Sequence, residues 1–430
     1  MSIIRIAKLL LNLVGARAGG ALIGMLSQLV LTRVFAPADV GLYLLTLSIL
    51  IFVSMLMTCG YPALAVTYLA RYQTLARRSM IAAFHAAARR DTAVMTLICA
   101  FAAVIAYNIP ALADLRPAIL FGCLAAPAQS LIRLNNSAAN ALKRFTLSYF
   151  PDFIMRSGLY FLAIVALYLF TTNPPIIWAL ISIVLATYAV AAIQAWMLGP
   201  EGALAYRGPG VTRNLRRYLR GRAASLVIVS IVAGSFAEIV TLVSGLFLPP
   251  SEVAVVGIAV RLASIAGFVT QASLQFIMRD LTAAMAAGNK QEIDRLIRRT
   301  NITNFGLMLV AIAGAIILGD FVLGIFGHEY RAGLFALILF LTSQLVRSAS
   351  GMNAHLLSLG GYQKQMAALC VGALAILIAA AAILAPLYNA TGIAIAALIA
   401  DLVWAAGLAV LAARLTGRRG DLFAGLFGKA

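Results

Sequence analysis

Gln129-Ser-Leu-Ile-Arg133 and Ser343-Gln-Leu-Val-Arg347 are two matching stretches, each with an arginine inside a long apolar run. The arginines are 347 − 133 = 214 residues apart, almost half of the 430-residue chain. On a helix that turns by about 100° per residue, Arg133 shares a face about 60° wide with Asn136 and Asn140. An arginine at the centre of a membrane helix costs about 2.5–3.5 kcal/mol. The pattern therefore predicts two matching halves whose cationic helix faces avoid lipid.

The composition is that of a protein which crosses the membrane many times. Hydrophobic residues make up 63% of the chain, charged residues make up 11%, and the mean hydropathy is +0.98. A soluble protein carries about a quarter charged residues. The net charge of +19 lies mostly in short loops, so it predicts membrane topology and no nucleic-acid partner. The four cysteines lie in apolar runs without metal-ligand spacing, and we expect no metal or cofactor.

Apolar segments of about 20 residues or more predict the membrane spans of an all-α fold. We expect twelve, at 9–35, 40–70, 92–112, 117–142, 149–171, 176–198, 223–248, 252–281, 302–326, 332–359, 366–388 and 391–414. Basic residues concentrate in the N-terminus, the even-numbered loops and the C-terminus, whereas the opposite loops hold Arg116 and Arg331. Because basic loops stay in the cytoplasm, both termini are predicted to be cytoplasmic.

A second pair of matching stretches supports the repeat. Pro37-Ala-Asp-Val40 precedes the second span and Pro250-Ser-Glu-Val253 precedes the eighth, at an offset of 250 − 37 = 213 residues. Six is an even number of spans, so both halves enter the membrane from the same side and the repeat is parallel. The long basic loop 199–222 separates the halves. We predict an N-terminal lobe at 1–205, with spans one to six, and a C-terminal lobe at 206–430, with spans seven to twelve.

Three stretches resemble a known family of transporters. They are Phe35-Ala-Pro-Ala-Asp-Val-Gly-Leu-Tyr43, Ile325-Phe-Gly-His-Glu-Tyr330 and Tyr388-Asn-Ala-Thr-Gly-Ile-Ala-Ile-Ala396. The chain is similar over its whole length to the polysaccharide transporter family, the Wzx-type oligosaccharide flippases. This family belongs to the multidrug/oligosaccharidyl-lipid/polysaccharide exporter superfamily. The motifs are patterns of glycine, proline and aromatic residues, not a catalytic signature.

The resemblance implies a fold, a cargo and a location. The fold would be two six-helix lobes around a central cavity that works by alternating access. The cargo would be a polyprenyl-diphosphate-linked oligosaccharide, moved across the bacterial inner membrane for surface polysaccharide such as lipopolysaccharide or exopolysaccharide. Membrane lipid, a polysaccharide polymerase and chain-length proteins would be its partners. The protein would not be an enzyme.

Five arginines inside the spans are the candidate binding residues: Arg17, Arg133, Arg156, Arg261 and Arg347. Facing lipid together they would cost about 12–18 kcal/mol, more than the whole stability of about 5–15 kcal/mol of a typical protein. Arginine binds phosphate through two parallel hydrogen bonds, which suits a diphosphate headgroup. The amides of Asn136, Asn140 and Gln271 could bond sugar hydroxyls. The alternative is internal ion pairing, as between Arg156 and Asp152 at i and i−4.

Two carboxylates, Glu238 and Asp401, lie deepest in the predicted spans. Ionisable groups at this depth often form relays, so they are candidates for a coupling-ion site. The alternative, which we favour, is that each is a charge partner for one of the arginines.

Two other functions compete with the flippase. An exporter of drugs or organic cations would need carboxylates in its cavity, and here the spans hold more arginines than acids. A membrane-embedded polysaccharide polymerase or acyltransferase would need a long outer loop or a converging His/Asp or Ser/His cluster. The sequence predicts neither feature, so the exporter ranks second and the enzyme third.

Overall fold

The computed structural model describes residues 3–75, 77–199, 212–286, 290–417 and 420–422. Contacts divide the chain into an N-terminal unit, Met1–Leu242, and a C-terminal unit, Val243–Ala430. The described residues form helices joined by short turns. The predicted boundary between lobes at 205/206 falls in 200–211, outside the described residues, and stays a prediction.

Nine described helices are long and apolar enough to cross a membrane. The longest consists of two arms that meet at Asn389, and shorter apolar helices lie at Gly19–Val34 and Phe236–Phe247. Counting the two arms separately and adding the shorter helices gives twelve apolar helical segments in the described residues, as many as the predicted spans. The predicted all-α fold with twelve spans is confirmed.

The N-terminal unit contains ten helices, the last of which runs past its boundary. They are α1 (Ile3–Val34), α2 (Pro37–Met57), α3 (Tyr61–Thr74), α4 (Arg78–Asn108), α5 (Arg116–Ala141), α6 (Phe145–Tyr149), α7 (Arg156–Phe170), α8 (Ile176–Leu198), α9 (Arg213–Gly234) and α10 (Phe236–Phe247). A 3-10 turn at Pro110–Leu115 leads into α5, and a π turn at Phe150–Met155 joins α6 to α7. Pro37 begins α2 because a proline at the first helical position lacks only an N–H that would have no helical partner.

The predicted second span, 40–70, consists of two helices, α2 and α3, with a break between them. The helix stops at Thr58, and Cys59 and Gly60 have positive φ angles of 50° and 75°. A Cβ atom at Gly60 would collide with the carbonyl oxygen of Ala223 in α9. Glycine is needed here for its backbone conformation and for the close approach of α9.

The C-terminal unit begins within α10 and contains α11 (Pro250–Ala286), α12 (Lys290–Phe326), α13 (Leu334–Ala349), α14 (Asn353–Leu359) and α15 (Gln363–Thr416). Its order matches the N-terminal unit. A proline begins α11 as it does α2, and a 3-10 turn at His328–Gly333 leads into α13 as another leads into α5. The two arms of α15 meet at Asn389, where φ is 49°, at the predicted turn.

The backbone of Gly420 is held inside the C-terminal unit. Its carbonyl oxygen accepts hydrogen bonds from Asn301 Nδ2 and from the amide of Met352, both at 2.9 Å. Its own amide donates to Asn353 Oδ1 at 2.6 Å. The segment that follows α15 therefore packs against α12 and the start of α14.

The basic segment before the seventh span is partly helical, whereas we predicted a solvated loop over 199–222. Asp91 of α4 is fully buried and accepts hydrogen bonds from the Tyr61 hydroxyl at 2.8 Å and from Arg216 Nε at 2.9 Å. Arg220 Nη2 lies 3.5 Å from the same carboxylate. Leu219 and Ala223 are buried against α3 and α4. One carboxylate thus attaches α9 to the N-terminal unit.

Candidate functional site

Asp152 is the centre of a polar cluster in the N-terminal unit. It lies in the π turn between α6 and α7 and is 8% exposed. Its carboxylate accepts hydrogen bonds from Gln129 Nε2 at 3.2 Å, Asn136 Nδ2 at 2.9 Å and Arg156 Nε at 3.1 Å. The ion pair anticipated between Arg156 and Asp152 is therefore present. Three donors leave this carboxylate well satisfied.

Arg133 lies on the same face of α5 as Gln129 and has a different environment. Its Nε donates to the Ser54 hydroxyl of α2 at 3.0 Å, and among the described residues it forms no ion pair. The charges that act on it are Asp152, Arg156 and Glu238. Two arginines and two carboxylates balance in charge. Because Asp152 is paired with Arg156, Arg133 is the arginine of this group that bonds a hydroxyl and forms no ion pair among the described residues.

The predicted amide ligands differ in what they contact. Asn136 is occupied at both ends, because its Nδ2 donates to Asp152 and its Oδ1 accepts from Gln194 Nε2 at 2.6 Å. The Oδ1 atom of Asn140 is buried and has no hydrogen-bond partner among the described atoms. Sequence reasoning missed Ser54 and Gln194, since a lone serine or glutamine in an apolar run carries no signal of its own.

Arg347 in the C-terminal unit is paired. Its Nη1 donates to Asp401 Oδ1 of α15 at 3.1 Å, and Ser343 donates a short hydrogen bond to the other carboxylate oxygen. Asp401 is 4% exposed. The alternative that a deep carboxylate is a charge partner of an arginine is thus confirmed for Asp401. Its role in ion coupling stays a prediction.

The remaining candidates are spread over other helices. Arg261 lies in α11, where its Nη1 donates to the Gly257 carbonyl at 3.3 Å. Glu238 is half-buried in the first turn of α10. The side chains of Arg17 in α1 and Gln271 in α11 lie outside what the structure describes. Within the described residues, no three His, Cys, Asp or Glu side chains are grouped so as to hold a metal ion.

Solved membrane transporters share this fold. The lipid II flippase MurJ, in an inward closed conformation, is 11% identical with a TM-score of 0.69, over 93% of this chain and 87% of that one. A mutant of the Vibrio cholerae MATE transporter VcmN is 14% identical with a TM-score of 0.62, over 97% and 98%. The MATE multidrug transporter DinF-BH is 17% identical with a TM-score of 0.60, over 95% of each chain.

No family model and no curated protein sequence matches the chain. At identities of 11–17%, the likeness to solved structures concerns the fold. The chain is thus a multi-pass membrane protein with the helical fold that MurJ and the MATE transporters share.

Proposed function

We propose that the protein is a flippase for lipid-linked oligosaccharide. It moves polyprenyl-diphosphate-linked repeat units across the bacterial inner membrane for surface polysaccharide synthesis, with both termini in the cytoplasm. A polymerase and chain-length proteins then use the translocated unit. Arg133 is the residue that binds the diphosphate, and Arg156, Asp152 and Asn140 surround it.

The observation that carries this proposal is the contrast between Arg133 and its neighbours. A buried guanidinium without a carboxylate partner is costly. Arg133 contacts a hydroxyl, while the nearest aspartate is bonded to Gln129, Asn136 and Arg156. A guanidinium that is bonded to a hydroxyl and not to a carboxylate suits an anionic headgroup that must leave water.

The binding step follows from the hydrogen bonds available. A diphosphate oxygen replaces the Ser54 hydroxyl at Arg133 Nε, and a second phosphate oxygen accepts from the other edge of the guanidinium. Asp152 forms an ion pair with Arg156 four residues later, and this pair fixes the position of the Arg156 guanidinium. The Asn140 Oδ1 atom accepts a hydrogen bond from a sugar hydroxyl. The polyprenyl chain stays in the bilayer.

Complementation of a deletion strain tests the proposal. Loss of the protein should remove surface polysaccharide and accumulate the lipid-linked precursor in the cell. Arg133→Ala should fail to restore surface glycan at normal membrane levels, because each charge-assisted hydrogen bond that is lost weakens headgroup binding about ten- to hundredfold. Glycan is scored on a gel and precursor by mass spectrometry.

Arg347→Ala is the matched control, since it removes an arginine at the equivalent position that is paired with Asp401. We expect it to lower the membrane level of the protein rather than the glycan made per molecule. Full rescue by Arg133→Ala, with wild-type precursor levels, would contradict the proposal.

Export of organic cations is the second candidate function. Glu238 is half-buried, acts on Arg133 and forms no ion pair among the described residues, so a cation could bind there. The MATE transporters that share the fold make this class relevant. In the same deletion strain, unchanged glycan with raised sensitivity to cationic dyes, restored by wild type and not by Glu238→Gln, would favour the exporter.

A further inference from the structure

A patch of tyrosines and arginines lies where the end of α3 meets the start of α9. We define this interfacial patch by Tyr68 and Arg71 of α3 and by Tyr218 and Arg222 of α9. The Tyr68 and Tyr218 hydroxyls are 3.1 Å apart, and their ring centroids are 6.4 Å apart. The guanidinium carbon of Arg222 lies 5.7 Å from the Tyr218 ring centroid. Arg71, Tyr218 and Arg222 are exposed.

The attachment of α9 to Asp91 determines which of its faces is outward. Arg216 and Arg220 are one helical turn apart and both contact the buried carboxylate. At about 100° per residue, Tyr218 and Arg222 fall about 160–240° around the helix from that pair. The inner arginines therefore share the carboxylate of Asp91, and the outer face presents a tyrosine and an arginine that belong to the patch.

The other three residues of the patch all act on the phenol of Tyr218. The pKa of the Tyr218 phenol is lowered, first by the hydrogen bond with Tyr68 and then by the positive charges of Arg222 and Arg71. Neither α3 nor α9 contains an acidic residue. The patch therefore offers two cations next to aromatic rings with no carboxylate on either helix.

The predicted spans place the patch at the height of lipid headgroups. Arg71 immediately follows the predicted span 40–70, and Arg222 immediately precedes the predicted span 223–248. Both are at the membrane end that the basic loops assign to the cytoplasm. Tyrosine favours this interface because its ring is apolar and its hydroxyl is polar. The cytoplasmic leaflet carries anionic lipid that attracts basic side chains at its surface.

We propose that the interfacial patch is a binding site for the phosphate of an anionic phospholipid in the cytoplasmic leaflet. Arg222 is held by stacking on Tyr218, so its guanidinium group is oriented before the lipid binds. Arg71 supplies the second charge, and the paired tyrosine hydroxyls border the headgroup. The site is separate from Arg133 and does not depend on the cargo that is transported.

Native mass spectrometry of the full chain in neutral detergent tests this site. Phosphatidylglycerol and phosphatidylcholine are titrated separately onto wild type and onto Arg71→Gln/Arg222→Gln. Each arginine near a membrane surface contributes about a fivefold preference for anionic lipid. The double variant should therefore lose on the order of twentyfold of the preference for phosphatidylglycerol over phosphatidylcholine.

The matched control is Arg116→Gln/Arg331→Gln. It also removes two arginines, from the predicted opposite face, and Arg116 likewise lies 5.5 Å from a tyrosine ring centroid, that of Tyr107. This control should keep the wild-type preference. Arg71→Lys/Arg222→Lys keeps the charge and should retain most of the preference, which separates lost binding from lost folding.

Three results would overturn the proposal. One is an unchanged lipid preference in the glutamine double variant of the patch. The second is an equal loss in the Arg116/Arg331 control, which would make the effect one of net charge. The third is a patch variant that keeps phosphatidylglycerol but no longer binds added polyprenyl diphosphate, which would assign the patch to the transported substrate.

Discussion

The two arginine-bearing helices, α5 and α13, follow the same local plan and differ in how their charge is balanced. Each begins after a 3-10 turn and carries a polar residue one turn before its arginine. That polar residue donates to a buried carboxylate in both units, Gln129 to Asp152 and Ser343 to Asp401. In the C-terminal unit the same aspartate also pairs with Arg347, whereas in the N-terminal unit it pairs with Arg156.

The difference shows that a repeated sequence pattern does not have a single electrostatic meaning. Asp401 comes from α15 and neutralises the arginine of the pattern. Asp152 comes from the π turn and pairs with Arg156 at the start of α7, so it does not pair with Arg133. A structural ion pair and a candidate binding group thus occupy equivalent positions.

The largest expected effect is loss of the paired arginine. Arg347→Met leaves the carboxyl group of Asp401 buried without its partner, and removal of one member of a buried pair costs about 3–5 kcal/mol. Arg347→Met/Asp401→Leu removes both charges and should recover most of that stability. Thermal unfolding in detergent measures both variants. If the double variant is as unstable as the single one, the ion pair is not the cause.

The next effect concerns the break between α2 and α3, which has no counterpart in the continuous helix α11 of the C-terminal unit. Gly60→Ala places a Cβ atom against the Ala223 carbonyl and strains a residue with φ of 75°, and we expect a loss of about 1–3 kcal/mol. Gly24→Ala is the matched control, because its Cβ meets nothing within 4 Å in a helix interior. The control should stabilise the protein by about 0.5–1 kcal/mol. If Gly60→Ala and Gly24→Ala changed the stability in the same direction, the inference that the backbone is strained at Gly60 would be contradicted.

A smaller effect is expected for the unpaired arginine. Arg133→Met removes one hydrogen bond to Ser54, worth about 0.5–1.5 kcal/mol, and leaves Asp152 paired. Because it also removes a charge that is costly to bury, the unfolding free energy should fall by less than that. The comparison with Arg347→Met in the same unfolding assay sharpens the contrast between the two helices. A loss as large as that of Arg347→Met would mean that Arg133 is structural.

The smallest effect is expected for a surface pair. Arg331 Nη1 lies 3.6 Å from Asp320 Oδ2, with the side chains 47% and 57% exposed. Solvent screens such pairs, so Asp320→Ala should change stability by no more than about 1 kcal/mol. Raising the salt concentration should reduce the difference in stability between this variant and wild type. The contribution of the buried Arg347 pair should depend little on salt. A larger change in Asp320→Ala would show that exposed charges matter here.

Local features of the fold could be predicted from the sequence because their causes are local. Apolar length predicted the spans, and Asn389 marked the turn between the arms of α15. The second and eighth spans were predicted to start at 40 and 252, two or three residues after the prolines that begin the helices. The pair of Arg156 with Asp152 followed from spacing on one helix.

Contacts between distant helices could not be predicted in the same way. The bond between Arg347 and Asp401 joins residues 54 apart, and the attachment of Arg216 to Asp91 joins residues 125 apart. Each depends on how helices are rotated against one another, which hydropathy does not record. The break after Thr58 carries a local signal, Gly60 followed by Pro62, which a prediction from apolar length alone does not use.

The hydrogen bonds to the Gly420 backbone have a consequence for biogenesis. Asn301 and Asn353 are synthesised before Gly420, and their side-chain amides find their native partner in the peptide groups of that later residue. The ribosome makes proteins from the N-terminus at about 5–20 residues per second. The hydrogen bonds between α12, the start of α14 and the segment after α15 therefore form only after Gly420 has left the ribosome, later than the insertion of the helices that they join.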